Sequence, residues 1–357
     1  MSALPMNPLA SDLDHVLART QGLWEELREQ RIFITGGTGF VGCWMLESFC
    51  WANDRLHLGA QATVLTRDPD AFRTKAPHLA SHPSVTLIAG DVRTFDFPAG
   101  RFGLVVHAAT DASAKLNAED PLRMFDTIVA GTRRALDFTV QSGAKKLLLI
   151  SSGAVYGRQP PDLAHVPEDY AGAPDPADPR SAYGEGKRVA ELLCAAYARQ
   201  HGIAPTIARC FAFLGPYLPL DTHFAAGNFI RDGQAGGPIR VTGDGTAVRS
   251  YLYAADLASW LWTVVLRGSI CRPYNVGSED GLTLADLAHR VAKAAGGCGI
   301  TVARRSAGGP SDRYVPGTVR ARTELGLQPW TGTDDAIVRT LAWWRTAGAR
   351  PGIPAAG

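Results

Sequence analysis

The chain has 357 residues, of which 46% are hydrophobic and 20% are charged, and its formal net charge is +2. This is the composition of an ordinary globular protein with a sizeable core, and the small net charge gives no reason to expect nucleic acid or an acidic membrane as a partner. No apolar run approaches the roughly 20 residues of a membrane span. Asp12, Asp14 and Glu25 argue against a secretory signal. We therefore expect a cytoplasmic protein.

The six cysteines include no C-x-x-C pair, and the nine histidines form no H-x-x-x-H or Cys/His cluster. Paired cysteines of that kind and clustered histidines are typical of metal sites. We expect buried, reduced thiols and no bound metal.

The N-terminal segment precedes any strand pattern. Residues 1–10 are expected to be disordered, and residues 11–30 carry apolar positions at helical spacing. An amphipathic helix is therefore predicted, and its apolar face could pack on the core or on a partner subunit.

A glycine-rich turn follows the first predicted strand, Arg31–Thr35. Its glycines, Gly36, Gly39 and Gly42, are spaced G-x-x-G-x-x-G and lead directly into an apolar helical pattern. Glycines allow a sharp turn and close approach of a ligand, and the N–H groups that begin a helix favour a pyrophosphate. The stretch predicts a dinucleotide site.

Further apolar segments alternate with helical patterns, as in a parallel sheet that is covered on both faces. The predicted strands are 62–66, 85–89, 104–107, 146–151 and 204–208, and the long helices are 124–141 and 183–200. The fold class is therefore α/β, a Rossmann-type doubly wound parallel sheet. In such sheets ligands bind at the carboxyl ends of the strands.

The regular alternation of strand and helix patterns ends after residue 210, where glycine and proline become frequent. Helices at 255–267 and 284–295, a short strand at 274–276 and a final helix near 334–346 are predicted. We expect an N-terminal helical extension (1–30) and a dinucleotide-binding Rossmann domain (31–210). Residues 211–357 are expected to form mostly a smaller substrate-binding lobe, with loops and helices that return to the core. The proline-rich segment 158–180 is a candidate lid.

The end of the second strand bears on the choice of cofactor. Thr66 and Arg67 favour NADP(H), because an arginine fork can hold a 2′-phosphate. In the alternative, Arg67 stacks on adenine and Asp68 turns back to the ribose of NAD(H).

Three residues form a candidate catalytic group. Ser152 ends the fifth strand, and Tyr183 and Lys187 are four residues apart at the start of the next helix, so they share one face. A nearby ammonium and a nicotinamide cation would lower the pKa of the tyrosine, which could then work as acid or base. Ser152 could share the proton or polarise a carbonyl.

These motifs together resemble the extended short-chain dehydrogenase/reductase superfamily, and specifically the NAD-dependent epimerase/dehydratase family that modifies nucleotide sugars. The resemblance covers residues 31–345. It rests on Gly36–Gly42, Asp91-Val92, His107-Ala108-Ala109, Ser151–Gly157, Tyr183–Lys187, Arg209 with Gly215-Pro216, Arg249 through Asp256, and Tyr274–Gly277.

The resemblance implies a role for each matching residue. Tyr183 would be the catalytic acid/base, Lys187 would hold the nicotinamide ribose and Ser152 would assist. The implied cofactor contacts are Gly36, Gly39, Phe40, Val41, Gly42, Arg67, Asp91, Val92, Ala108, Ala109, Thr110, Ser151, Tyr183, Lys187, Arg209 and Phe211. The implied substrate contacts are Ser152, Gly153, Ala154, Asn228, Arg249 and Arg313, with Arg249 gripping the diphosphate. A homodimer formed through the helices at 124–141 and 183–200 is also implied.

Two departures from the family pattern bear on the reaction. Sugar 4,6-dehydratases of the family carry Asp-Glu where this chain has Gly153-Ala154, and the decarboxylases carry Glu at the position of Ala154. Glycine and alanine cannot transfer protons, so 4-epimerisation or reduction of a 4-keto sugar is favoured over dehydration and decarboxylation. Ala212 stands where many relatives have an asparagine, which suggests a less common substrate.

Two other hypotheses stay open. The protein could reduce a non-sugar carbonyl, since relatives with a similar Thr-Arg-Asp-Pro stretch do so. It could also be a non-catalytic regulator that keeps the dinucleotide as a ligand.

Overall fold

The structure is a computed structural model that describes residues 7–110, 114–221, 224–304, 308 and 311–347. The expected disorder of residues 1–6 lies outside these described residues. Residues 7–10 do not follow that expectation, because Leu9 is buried and Ala10 begins a helix.

The strands are short and follow the predicted order. They are β1 (Arg31–Thr35), β2 (Gln61–Thr66), β3 (Val85–Ala89), β4 (Leu104–His107), β5 (Lys146–Ser152), β6 (Ala204–Cys210), β7 (Phe213–Leu214), β8 (Ile239–Val241), β9 (Val248–Arg249), β10 (Leu252–Tyr253), β11 (Pro273–Val276), β12 (Leu282–Thr283), β13 (Ile300–Val302) and β14 (Arg313–Tyr314).

The helices lie between them. They are α1 (Ala10–Arg19), α2 (Phe40–Leu56), α3 (Pro69–Lys75), α4 (Pro77–Ala80), α5 (Ala114–Glu119), α6 (Pro121–Gln141), α7 (Ala182–His201), α8 (Ala225–Gln234), α9 (Ala254–Arg267), α10 (Leu284–Ala294), α11 (Val319–Leu325) and α12 (Thr333–Ala347). No described helix is long and apolar enough to cross a membrane.

Seven strands form one parallel sheet in the order β3-β2-β1-β4-β5-β6-β11. The strand order reverses between β1 and β4, which is where ligands bind in doubly wound sheets. The predicted fold class is confirmed. The edge strand β11 was expected in the C-terminal lobe, but its buried residues Tyr274, Asn275 and Val276 pair it with β6 instead.

The N-terminal extension differs from the single helix predicted for residues 11–30. Helix α1 ends at Arg19, and Gly22, with φ of 80°, separates it from a 3₁₀ turn at Trp24–Leu27. Leu13 and Val16 are buried where α1 packs on α2 and α9. The extension therefore packs on the core of its own chain.

Three small sheets lie outside the seven-stranded sheet in the described part of the chain. Strand β9 pairs antiparallel with β12 and parallel with β14. Helix α8 lies in the region predicted to be loop, where Gly227 and Gly233 weakened the helical pattern. The segment 158–180 is attached to the β14 side by a bridge between Val166 and Pro316 and by a hydrogen bond from Val315 N to Gln159 Oε1 (2.9 Å).

Candidate active site

The glycine turn packs directly against the end of β4. A Cβ atom on Gly36 would lie 2.5 Å from the carbonyl carbon of Ala108, and one on Gly42 would lie 2.3 Å from the carbonyl oxygen of Gly36. Gly36 also has φ of 69°, which L side chains rarely adopt. Gly36 and Gly42 are therefore required by the fold of the turn itself.

Gly39 is different, because a Cβ there would meet only the carbonyl oxygen of Gly36, at 3.5 Å. Gly39 is also the N-cap of α2 and supplies no side-chain cap to the helix N–H groups. Nearby, the buried hydroxyl of Thr110 has no hydrogen-bond partner among the described residues. The space beside Gly39, the uncapped N–H groups of α2 and the unpartnered hydroxyl of Thr110 together fit a dinucleotide, with its pyrophosphate at the helix N-terminus.

The residues expected at the adenosine end of the cofactor follow β2 and β3. Arg67 is exposed, while Asp68 accepts a hydrogen bond from Ala71 N (2.9 Å) and so caps α3. The carboxylate of Asp91 is held by Arg93 (2.7 Å), which lowers the pKa of Asp91 to about 2. Val92, its predicted neighbour in the site, is buried against Gly131.

The three catalytic candidates come together at the end of β5. Lys187 is 4% exposed and donates a hydrogen bond to the carbonyl oxygen of Ile150 (2.8 Å), and burial lowers its pKa to about 8. Its Nζ lies 5.9 Å from the ring centre of Tyr183. Burial raises the pKa of Tyr183 to about 12, while a hydrogen bond from Ser152 acts in the opposite direction.

A second tyrosine, which the sequence analysis did not single out, completes this cluster. The hydroxyl of Tyr314 lies 3.4 Å from Ser152 Oγ and 3.4 Å from the carbonyl oxygen of Cys210. Its ring packs on Phe211 with centroids 4.6 Å apart. A Cβ atom on Gly153 would lie 2.6 Å from the ring of Phe211 and 2.7 Å from the hydroxyl oxygen of Tyr314. The local packing therefore requires glycine at 153.

Arg209 and Ser151 do not join the Ser152–Tyr183–Lys187 cluster and instead bind Glu191 of α7. Both oxygens of Glu191 accept hydrogen bonds from Arg209 (3.0 and 2.7 Å), and Ser151 also donates to Glu191 (2.6 Å). Arg209 further donates to the hydroxyl of Tyr156, which donates to Asn275 Oδ1 (2.7 Å). The structure thus engages Arg209 and Ser151 in a polar network that ties β5, β6 and β11 together.

The predicted substrate contacts lie on the C-terminal elements. Arg249 forms an ion pair with Asp312 (2.5 Å), and Asn228 on α8 accepts a hydrogen bond from Arg231 (3.2 Å). Arg249 and Tyr314 are register partners across β9 and β14, whereas Arg313 is paired with Val248. Because side chains alternate along a strand, Arg249 and Tyr314 share a face and Arg313 lies on the other.

The remaining predicted substrate contact, Ala154, lies after β5. It follows Gly153 in a 3₁₀ turn that Ser152 caps (Ala154 N to Ser152 Oγ, 3.1 Å).

The cysteine and histidine side chains were expected to form neither metal sites nor disulfides. No group of three or more His, Cys, Asp or Glu residues in the described ranges could hold a metal ion. All six cysteines are free, four of them buried and Cys271 and Cys298 half-buried.

The fold and site define a Rossmann-type dinucleotide-binding protein with a Ser/Tyr/Lys cluster of the short-chain dehydrogenase/reductase type. The model of the NAD dependent epimerase/dehydratase family matches residues 32–277. The chain belongs to this family.

Individual relatives match most of the chain. UDP-glucuronic acid decarboxylase 5 of Arabidopsis thaliana is 31% identical over 300 residues, covering 84% of each chain. UDP-glucuronic acid decarboxylase 1 of Xenopus tropicalis is 29% identical over 321 residues, covering 90% of this chain and 73% of the relative. The solved structure of UDP-glucose 4-epimerase from Thermus thermophilus in complex with NAD is 25% identical, with a TM-score of 0.72, and the match covers 89% of this chain and 99% of that chain.

Proposed function

We propose that the protein is an NAD⁺-dependent enzyme that oxidises UDP-glucuronic acid at C4 of the sugar and releases its carboxylate as CO₂. The observation that carries the oxidation is the Ser152–Tyr183–Lys187 cluster at the end of β5. The choice of substrate is supported by the relatives, because both decarboxylases match more than four fifths of the chain. Decarboxylation therefore replaces epimerisation or reduction as the favoured reaction.

The cluster supplies the proton chemistry of the oxidation. Tyr183 as a phenolate would accept the proton of the sugar 4-hydroxyl. The ammonium of Lys187, whose Nζ lies 5.9 Å from the centre of the Tyr183 ring, would stabilise that phenolate electrostatically. Bound NAD⁺ supplies the hydride acceptor for C4, and the glycine turn with Thr110 would hold it. Once Tyr183 has taken up the proton and is no longer a phenolate, Ser152 would donate its hydrogen bond to the oxygen on C4, which is then a carbonyl.

Loss of CO₂ does not require the carboxyl side chain that other family members carry at position 154. A 4-keto hexuronate is a β-keto acid, so its C5–C6 bond can break with the electron pair moving into the C5–C4–O enolate. The hydroxyls of Ser152 and protonated Tyr183 would stabilise the enolate oxygen, and C5 would take a proton from water. Ala154 is therefore compatible with decarboxylation, whereas elimination of water needs an acid and a base.

The C-terminal residues 211–357 would bind the nucleoside diphosphate. Arg249 offers a guanidinium whose present partner, Asp312, is half exposed and could be displaced by a diphosphate. Asn228 and Arg313 remain proposed contacts of the same substrate. For Arg313 this would require a substrate group on the Val248 face of β14.

We propose NAD(H) in place of the expected NADP(H). The choice is supported by the solved epimerase neighbour, which is a complex with NAD. Asp68 is engaged as a helix cap, so it is not committed to a ribose contact.

A second candidate is 4-epimerisation, which is favoured by the Gly153-Ala154 pair. Epimerisation at C4 needs no proton transfer at C5, and this chain has no carboxyl side chain at 153–154 to make one. Both candidates share the 4-keto sugar.

One NMR experiment separates the candidates. The protein is incubated with UDP-glucuronic acid and NAD⁺, with UDP-glucose in a parallel sample. Released CO₂ and a UDP-linked pentose, which would form when the hydride taken up by the cofactor returns to C4, are expected from UDP-glucuronic acid. Conversion to UDP-galacturonic acid would instead identify the epimerase, and unchanged sugars in both samples would refute both candidates.

A further inference from the structure

The hydroxyl of Ser152 lies 3.4 Å from that of Tyr314, and its hydrogen bond with Tyr183 lowers the pKa of Tyr183. We propose that Tyr314 is a positioning residue that orients the Ser152 hydroxyl, so that the single proton of Ser152 is directed at the oxygen of Tyr183. The proposal rests on the role of Tyr183 as acid/base in the proposed function.

The direction of each hydrogen bond follows from counting protons. Ser152 Oγ accepts a hydrogen bond from Ala154 N (3.1 Å), which fixes its oxygen at the start of the 3₁₀ turn. When Tyr183 is a phenolate, a hydrogen bond to its oxygen is charge-assisted and outcompetes a neutral acceptor. Ser152 then donates to Tyr183, so the remaining partner, Tyr314 at 3.4 Å, must act as the donor to Ser152.

The surrounding packing holds Tyr314 in place for this task. Its ring lies against Phe211, and its hydroxyl fills the volume that a side chain at position 153 would occupy. The alternative acceptor of its proton, the carbonyl of Cys210, belongs to the register partner of Ser152 in the sheet. Tyr314 therefore contacts the adjoining ends of β5 and β6 through one hydroxyl.

Burial supports the same direction of donation. It raises the pKa of Tyr314 above its ordinary value and outweighs the hydrogen bond with Ser152, which lowers that pKa. Tyr314 thus keeps its proton while Tyr183 loses its own. The neutral phenol is the form that can donate to Ser152 throughout the reaction.

The test follows the pKa of Tyr183 in the NAD⁺-loaded protein without substrate, so it does not depend on which sugar is turned over. Tyrosinate formation is measured by ultraviolet difference spectroscopy over the pH range in which circular dichroism is unchanged. Tyr183→Phe identifies the Tyr183 signal. Tyr314→Phe should raise the pKa of Tyr183 by roughly half to one unit, the size expected for weakening one hydrogen bond to a charged group.

A double-mutant cycle makes the test specific to the serine. In a Ser152→Ala background, Tyr314→Phe should leave the pKa of Tyr183 unchanged. Tyr170→Phe, which removes a hydroxyl from the neighbouring segment, should have no effect in either background. Tyr314→Met, which also removes the hydroxyl but keeps an apolar side chain against Phe211, should shift the pKa in the same direction as Tyr314→Phe and serves as the second variant if that one does not fold.

The proposal is overturned if Tyr314→Phe leaves the pKa of Tyr183 unchanged, or if the shift persists without Ser152. Failure of the proposed function has a different signature. In that case the wild-type protein converts none of the UDP-sugars, whatever the titration shows.

Discussion

His107 shows how the charge state of one buried residue supports the site. His107 ends β4, and its ring nitrogens lie 2.8 Å from Thr35 Oγ1 at the end of β1 and 3.1 Å from Thr132 Oγ1 on α6. Burial and the nearby ammonium of Lys187 lower the pKa of His107 to about 3. The neutral ring therefore joins the two strands directly beneath the glycine turn.

This depressed pKa predicts a loss of stability on the acid side. Below its ordinary pKa of 6.5 the unfolded chain binds a proton at His107, while the folded protein binds none until about pH 3. The free energy of unfolding therefore falls in this window, by up to about 1.4 kcal/mol per pH unit from this residue. In denaturant titrations at pH 7 and pH 5, His107→Gln should lose less stability than the wild type. The exposed His201→Gln is the control, and equal losses in all three proteins would contradict the assignment.

Within the glycine turn, one glycine is required for folding and another is expected to be required for cofactor binding. Gly42 is held by backbone contact, whereas Gly39 faces open space at the start of α2. We predict that Gly42→Ala destabilises the protein by about 1–3 kcal/mol through overpacking. Gly39→Ala should keep the ligand-free melting temperature and weaken NAD⁺ binding.

Thermal shift with and without NAD⁺ measures both effects. The pair is matched, because each variant adds one methyl group to the same turn. If Gly39→Ala binds NAD⁺ as the wild type does, the pyrophosphate does not lie at this turn.

Strands and helices were predictable from the sequence where a short stretch of residues identifies them. Six of the seven strands of the main sheet, β1–β6, are mostly apolar runs. Strand β5 ends in Ser152, and α7 begins with the Tyr183-x-x-x-Lys187 motif. Tyr314 had no such signal, since β14 has two residues and lies 162 positions from Ser152 in the chain. Only the folded chain brings it to the site. The ion pair between Arg209 and Glu191 could not be predicted from the sequence either, because it depends on α7 packing beside β6.

At the scale of the whole molecule, α1 connects the N-terminus to the C-terminal helices. Asp12 accepts a hydrogen bond from Tyr253 (2.6 Å) and forms an ion pair with Arg339 of α12. His15 lies 3.5 Å from the buried Asp256 of α9. The extension is therefore part of the core of the fold.

A matched pair of valines tests this role. Val16 on α1 is 1% exposed and Val338 on α12 is 54% exposed. Val16→Ala should lower the free energy of unfolding by about 1–3 kcal/mol, and Val338→Ala by less than about 0.5 kcal/mol. Equal effects in chemical denaturation would mean that α1 does not contribute to the core.

The expected homodimer remains a prediction, and exposed apolar residues on its proposed helices are consistent with it. Leu122 on α6 is 76% exposed and Leu192 on α7 is 68% exposed. Leu192→Glu should convert the protein to a monomer in multi-angle light scattering, whereas Ile270→Glu, at another exposed position, should not. A wild-type protein that is already monomeric would contradict the expectation.

The proposed oxidation of a nucleotide-linked sugar depends on Tyr183 as its base. A single-turnover experiment measures this dependence, in which NAD⁺-loaded protein is mixed with UDP-glucuronic acid and NADH absorbance is followed. The wild type should form NADH, and Tyr183→Phe should do so about 10²–10⁴-fold more slowly while binding NAD⁺ with similar affinity. Equal rates in the two proteins would show that Tyr183 is not the base.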